Sequence, residues 1–141
     1  MIPVHLGHSP EARRDSIAGR AFPISETYSG VRKIPAIAEW LNVEWSPRYQ
    51  PTKTQTYCNI YATDVAYLAG VYLPRVWWDH PDTADESTVP VYAKNVHELN
   101  ANQLFDWLVE CGPEFGWKRL ANADEAQMLA DDGAIVLISA A

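Results

Sequence analysis

The segment Thr56-Tyr57-Cys58-Asn59-Ile60-Tyr61 opens a helix-like stretch with a cysteine. A thiol in the first turn of a helix faces backbone N–H groups that lack intrahelical partners, at the positive end of the helix dipole. Both favour an anion, so a thiol with a free pKa of about 8.5 is drawn toward thiolate there. Thiolate is the attacking species of cysteine catalysis. The Pro- and Thr-containing stretch 44–55 precedes it and keeps the position near the surface. Position alone leaves a second reading open, in which Cys58 is a small buried residue. Cys111 closes an apolar helical face, where the dipole opposes a thiolate, and reads as core.

A catalytic thiol needs an imidazole that takes its proton and later protonates the leaving amine. His80, in WWDHPDT, and His97 are the candidate bases, provided a ring comes within hydrogen-bond reach of Cys58. A lone loop histidine is otherwise solvated surface, and His5 and His8 sit in an irregular lead-in. Asp64 follows Cys58 by about 600° of helical rotation, points away from it, and is expected to cap or pair locally. Asp79, Asp82, Asp85 and Glu86 lack the ligand spacing and central glycine of a calcium loop, so they read as a solvated acidic loop and no metal site is expected. Tyr72, Trp77 and Trp78 suit either a substrate groove, by stacking, or the core. There is no phosphate-binding loop, dinucleotide fingerprint, zinc-helix or CxxC motif, and no cofactor is expected.

Several elements must position these groups. Ile34, Ile37, Ala38 and Leu41 share one face of a helix over 32–42, with Pro35 confined to its first turn. A second helix spans 56–69, capped by Thr54 or Thr56 and ended by Gly70. A long connection over 71–95 contains a short extended piece at 89–93. A third helix spans 97–111, opens at His97, and aligns Leu104, Trp107, Leu108 and Cys111 before Gly112-Pro113. A fourth spans 123–131, with Asn122 and Glu125 as a capping pair and Gly133 at its end. The apolar run 134–139 reads as a buried strand. Asp131 and Asp132 end the fourth helix on its solvent side. Residues 1–30 form an irregular arm with a short helix near 10–18.

With 141 residues, 48% hydrophobic and 21% charged, the chain suffices for one globular domain. The net charge of −7 is uneven: residues 1–58 are net positive, and 59–141 hold thirteen of the eighteen acidic residues. An acidic half without a basic stripe argues against nucleic-acid binding. No apolar run approaches a bilayer span, and no basic-then-apolar leader opens the chain. Two cysteines make no disulfide framework.

The stretch TYCNIYATDVAYLAGVYLPR resembles the nucleophile segment of papain-like peptidoglycan hydrolases: NlpC-type endopeptidases, CHAP amidases and type VI secretion amidase effectors. In them a cysteine followed by a small polar residue opens the first core helix. That helix ends at a glycine with a proline soon after, the counterparts being Cys58, Asn59, Gly70 and Pro74. The small-residue approach 126–133 and the run 134–139, as first central strand, follow the same order. The resemblance covers about residues 45–139. It implies an α+β, papain-like domain over 31–141, rich in helices, with at least one central strand.

The activity implied is hydrolysis of peptidoglycan peptide amides. Cys58 is then nucleophile and backbone oxyanion donor, and Tyr57, Asn59, Trp77 and Trp78 are substrate contacts. The family's base is a histidine in a Gly-His at the start of the next strand, and no histidine follows His97 here. Turnover by this chain alone is therefore expected to be poor unless His80 or His97 reaches Cys58. A missing C-terminal segment, a second copy or an inhibitor protein are the partners this implies. Synthesis without a leader and delivery to the periplasm or cell wall are the expected route. The alternative is a non-catalytic glycan- or protein-binding module on a degenerate papain-like scaffold.

Overall fold

The computed structural model describes residues 2–4 and 33–139. The expected N-terminal arm, its helix at 10–18, His5 and His8 lie outside the described residues. Four helices, α1 (Lys33–Leu41), α2 (Cys58–Ala69), α3 (Ala101–Glu110) and α4 (Ala123–Asp131), accompany two short strands, β1 (Val76–Trp78) and β2 (Val96–Glu98). The result is a mixed α+β domain whose sheet is one antiparallel hairpin, pairing Val76 with Glu98, Trp77 with His97 and Trp78 with Val96.

Helix α2 is the centre of the arrangement because it is apolar on two sides. Ile60 and Ala69 pack with Ile37 and Leu41 of α1 and with Tyr49. Ala66 joins the larger cluster of Leu73, Val76, Trp77, Trp78, Val96, Leu104 and Trp107. Lys33 Nζ donates to the Ala69 carbonyl at 3.1 Å, tying the start of α1 to the end of α2. Gly70 ends α2 at φ +85°, a left-handed conformation that side-chain-bearing residues resist, and its N–H bonds the last-turn carbonyls.

Several expectations need correction. The cap of α2 is neither Thr54 nor Thr56: Tyr57 occupies that position and makes no side-chain cap. Helix α3 does not open at His97. It begins at Ala101, where Asn100 and Gln103 form a reciprocal capping box, and His97 lies on β2. The extended piece at 89–93 reduces to a single bridge between Tyr92 and Val96. The expected strand at 134–139 forms no ladder among the described residues, and Ile138 is 88% exposed. The only strands there are β1 and β2, each too short to carry a recognisable alternation. Helix α4 matches the reading, with Asn122 Oδ1 accepting from the Glu125 N–H at 2.9 Å. Glu125 itself reaches the Ala121 N–H at 2.9 Å rather than closing the box on Asn122.

Tyr72 joins the aromatic cluster while its hydroxyl accepts the Val4 N–H at 2.8 Å. Burial pushes its pKa up to about 12, against the smaller lowering effect of the Val4 hydrogen bond. A phenol raised by folding adds stability in full below its unfolded pKa, near 10, and loses it as pH climbs toward 12. Urea unfolding between pH 9 and pH 12 should lose about 2 kcal/mol from this group, and Tyr72→Phe should remove that share of the slope. Tyr49 and Tyr61 are raised as well, chiefly by burial, so part of the alkaline slope should persist in the variant.

Candidate functional site

Cys58 is the first residue of the 12-residue α2, and it is exposed. Apolar spacing explains the helix, since Ile60, Ala66 and Ala69 are among the buried positions that follow. That register leaves the first residue at the rim. No side chain at Tyr57 caps the first turn.

Two networks hold this helix in place. The first is buried and fixes its middle. Arg48 Nε and Nη2 donate to Asp64 Oδ2 and Oδ1 at 2.7 and 3.1 Å, and the Tyr49 hydroxyl donates to Oδ2 at 2.6 Å. Asp64 pairs, but not locally as expected: its partners lie 16 and 15 residues earlier, in the loop that leads to the cysteine. Burial is the largest single influence and works against the Arg48 charge, but the hydrogen bonds and charges of Asp64 and Tyr49 together outweigh it and hold the guanidinium above its ordinary value. Burial also raises the Tyr49 phenol, reinforced by its hydrogen bond to Asp64.

The second network fixes the first turn. Asn59 Nδ2 donates to Glu98 Oε1 and to the Leu99 carbonyl, both at 3.3 Å. Glu98 Oε1 also accepts from Arg75 Nε at 3.1 Å, and Oε2 accepts from the Tyr92 hydroxyl at 3.2 Å. Asn59, expected as a substrate contact, thus spends its amide hydrogens on the β2 end of the hairpin. Tyr57 is half-buried beside the α1–α2 cluster.

The candidate bases lie on the hairpin. His97 Nδ1 contacts Asp79 Oδ1 at 2.6 Å, a diagonal pair one step beyond the Trp77–His97 register. Side chains alternate along a strand, so His97 projects to the opposite side of β2 from Glu98, which meets α2. His80 is exposed at the start of the 3-10 turn Pro81–Thr83. Among the described residues, neither ring hydrogen-bonds the Cys58 thiol.

Trp77 and Trp78 belong to the core instead of a groove, at 6% and 4% exposure. Trp77 meets Trp107 edge to face at 5.6 Å, and Trp78 Nε1 donates to the Ile2 carbonyl at 3.0 Å. The acidic loop is exposed, and no group of metal-ligating residues gathers among the described residues. Asp85 there accepts from Ser87 and Thr88, which lower its pKa. Arg48, Tyr49, Arg75 and Glu98 were not singled out by sequence. The available signal was Asp64 itself, a carboxylate set among the buried positions of α2, which requires a partner.

The two thiols differ sharply. Cys111 is buried, and burial, followed by the charges of Glu110 and Glu114, raises its pKa. Native protein treated with iodoacetamide near pH 8 should therefore carry an adduct on Cys58 alone, with Cys111 labelled only in denaturant. Peptide mass mapping that found Cys111 labelled first would contradict the packing described.

Comparison with known proteins finds no matching family model, no matching curated protein and no matching solved structure.

Proposed function

We propose that the chain is a cysteine hydrolase of peptide amides in peptidoglycan, with Cys58 as nucleophile. The observation that carries this reading is the exposed thiol at the first residue of α2, in a turn with no side-chain cap. The resemblance of residues 56–75 to the nucleophile segment of papain-like peptidoglycan hydrolases supplies the substrate class. In this reading Cys58 Sγ attacks the amide carbonyl, and the Cys58 N–H helps hold the oxyanion. The resulting acyl-thioester is hydrolysed by water after the amine leaves. His97 is engaged by Asp79 on the other side of β2, so this reading requires another imidazole to shuttle the proton.

The test is release of soluble muropeptides and new amino groups from purified peptidoglycan. Cys58→Ala should lower release from that of the unaltered chain to background. Equal release by the variant would refute the nucleophile. Sedimentation with peptidoglycan, undiminished by Cys58→Ala and unaccompanied by release from either protein, would favour a binding module. That second reading rests on the absence of a histidine–thiol hydrogen bond among the described residues.

A further inference from the structure

Residues 134–139 have every property of a strand except a neighbour. They run on without helix, turn or bend. Ile135 packs against the α1–α2 cluster and Leu137 against the larger core cluster, while Ala134 and Ile138 face solvent. Inward residues two positions apart, with outward ones on either side, are the spacing of a strand lying on a core. The ladder is what is missing. The Ala134 N–H reaches the Leu129 carbonyl at 3.0 Å, and beyond it no backbone group from Ile135 to Ser139 is hydrogen-bonded among the described residues. Ile138 is 88% exposed, and the segment holds none of the charges or prolines that keep free strand edges apart. A groove of about 1020 Å³ runs beside it, lined also by α4 and by the stretch 117–121. A six-residue strand, about 20 Å long, about 4.8 Å wide and about 10 Å deep, fills roughly 1000 Å³.

We propose that this edge is an interface between two copies of the chain, in which residues 134–138 pair antiparallel with the same residues of a second copy, Val136 opposite Val136. A strand edge is self-complementary about a two-fold axis, because both copies offer N–H and C=O groups at the same spacing. The side chains match in this register. Ala134 lies opposite Ile138, small against large, and Ile135 opposite Leu137, so no polar group is set against an apolar one. Ile138 gains Ala134 and, diagonally, Val136 of the second copy as neighbours. Charge selects the direction. Asp131 and Asp132 stand just before the strand, in the part of the chain that holds most of the acidic residues. Parallel pairing would bring the two acidic pairs together. Antiparallel pairing puts them at opposite ends of the ribbon, farther apart than the Debye length of about 8 Å at physiological salt. The pairing is independent of the role of Cys58, which lies on α2.

Sedimentation equilibrium on the full chain, over about a hundredfold range of concentration, should show reversible passage from one chain to two. Amide hydrogen exchange over 135–139 should slow as the dimer fills. Val136→Lys and Val136→Glu should each weaken association by about tenfold or more, since like charges then lie directly opposite. An equimolar mixture of the two variants should recover the dimer, because the facing charges become opposite in sign. Val136 belongs to neither core cluster, so the melting temperature of the dilute monomer should be the same in all three proteins. A chain that stays monomeric at every concentration overturns the proposal, whatever other strand it accepts. So does a dimer in which residues 135–139 exchange at the monomer rate. Variants that associate as well as the unaltered chain, or that fail to recover on mixing, overturn it too.

Discussion

Asp64→Ala should lower the unfolding free energy by about 3 to 5 kcal/mol, the range for removing one partner of a buried ion pair. The reason lies in what stays behind. Arg48 is 7% exposed and held by two hydrogen bonds to the Asp64 carboxylate, so the variant leaves a buried guanidinium without its counter-charge. The Tyr49 hydroxyl loses its acceptor in the same step. Truncating both ends with apolar residues, Arg48→Met with Asp64→Leu, should recover most of the loss, since a buried pair is worth little against packed hydrocarbon. The pair therefore matters less as net stability than as a pin that joins the loop before Cys58 to the middle of α2. Urea unfolding of the single and double variants checks both statements. A single-variant loss below about 1 kcal/mol would mean that water reaches Arg48 freely and that the site is not buried as described.

Trp107→Ala should cost a similar amount, about 3 to 5 kcal/mol, for a different reason. Trp107 is almost fully buried and its ring meets Tyr72, Trp77 and Phe115 with centroids 6.0, 5.6 and 5.3 Å away. Removing it opens a cavity at the meeting point of α3, the hairpin and the 3-10 turn Gly112–Phe115. Its Nε1–H has no hydrogen-bond partner among the described residues. Trp107→Phe should consequently be mild, below about 1.5 kcal/mol, because loss of volume is offset by loss of an unsatisfied buried donor. Unfolding curves in which the phenylalanine variant is as damaged as the alanine variant would show that the indole N–H is bonded after all.

The sequence reading succeeded where the determinant is local. Helix α1 follows from Ile34, Ile37 and Leu41, and α2 from its apolar spacing and the stop at Gly70. Helix α4 follows from Asn122 before Ala123. The start of α3 was misplaced at His97, although Asn100 and Gln103 carry the capping signature that sets it at Ala101. The hairpin escaped notice because its strands are three residues long, too short for an alternation to show, and β1 is buried throughout. Residues 134–139 were read as a strand on apolar content alone. A strand requires a neighbour for its backbone groups, and composition does not reveal whether one is present.

What the sequence determined by itself is therefore the set of helices, the place of Cys58 at the head of one of them, and the core role of Cys111. These depend on neighbours three or four positions away, where helical geometry leaves few alternatives. Tertiary structure alone decided that Asp64 is held by Arg48 and Tyr49, that Trp77 and Trp78 are interior, and that His97 engages Asp79. It alone tied Asn59 to Glu98. Each of those contacts closes a loop of many residues, and which closures form depends on how whole elements bury their apolar faces together.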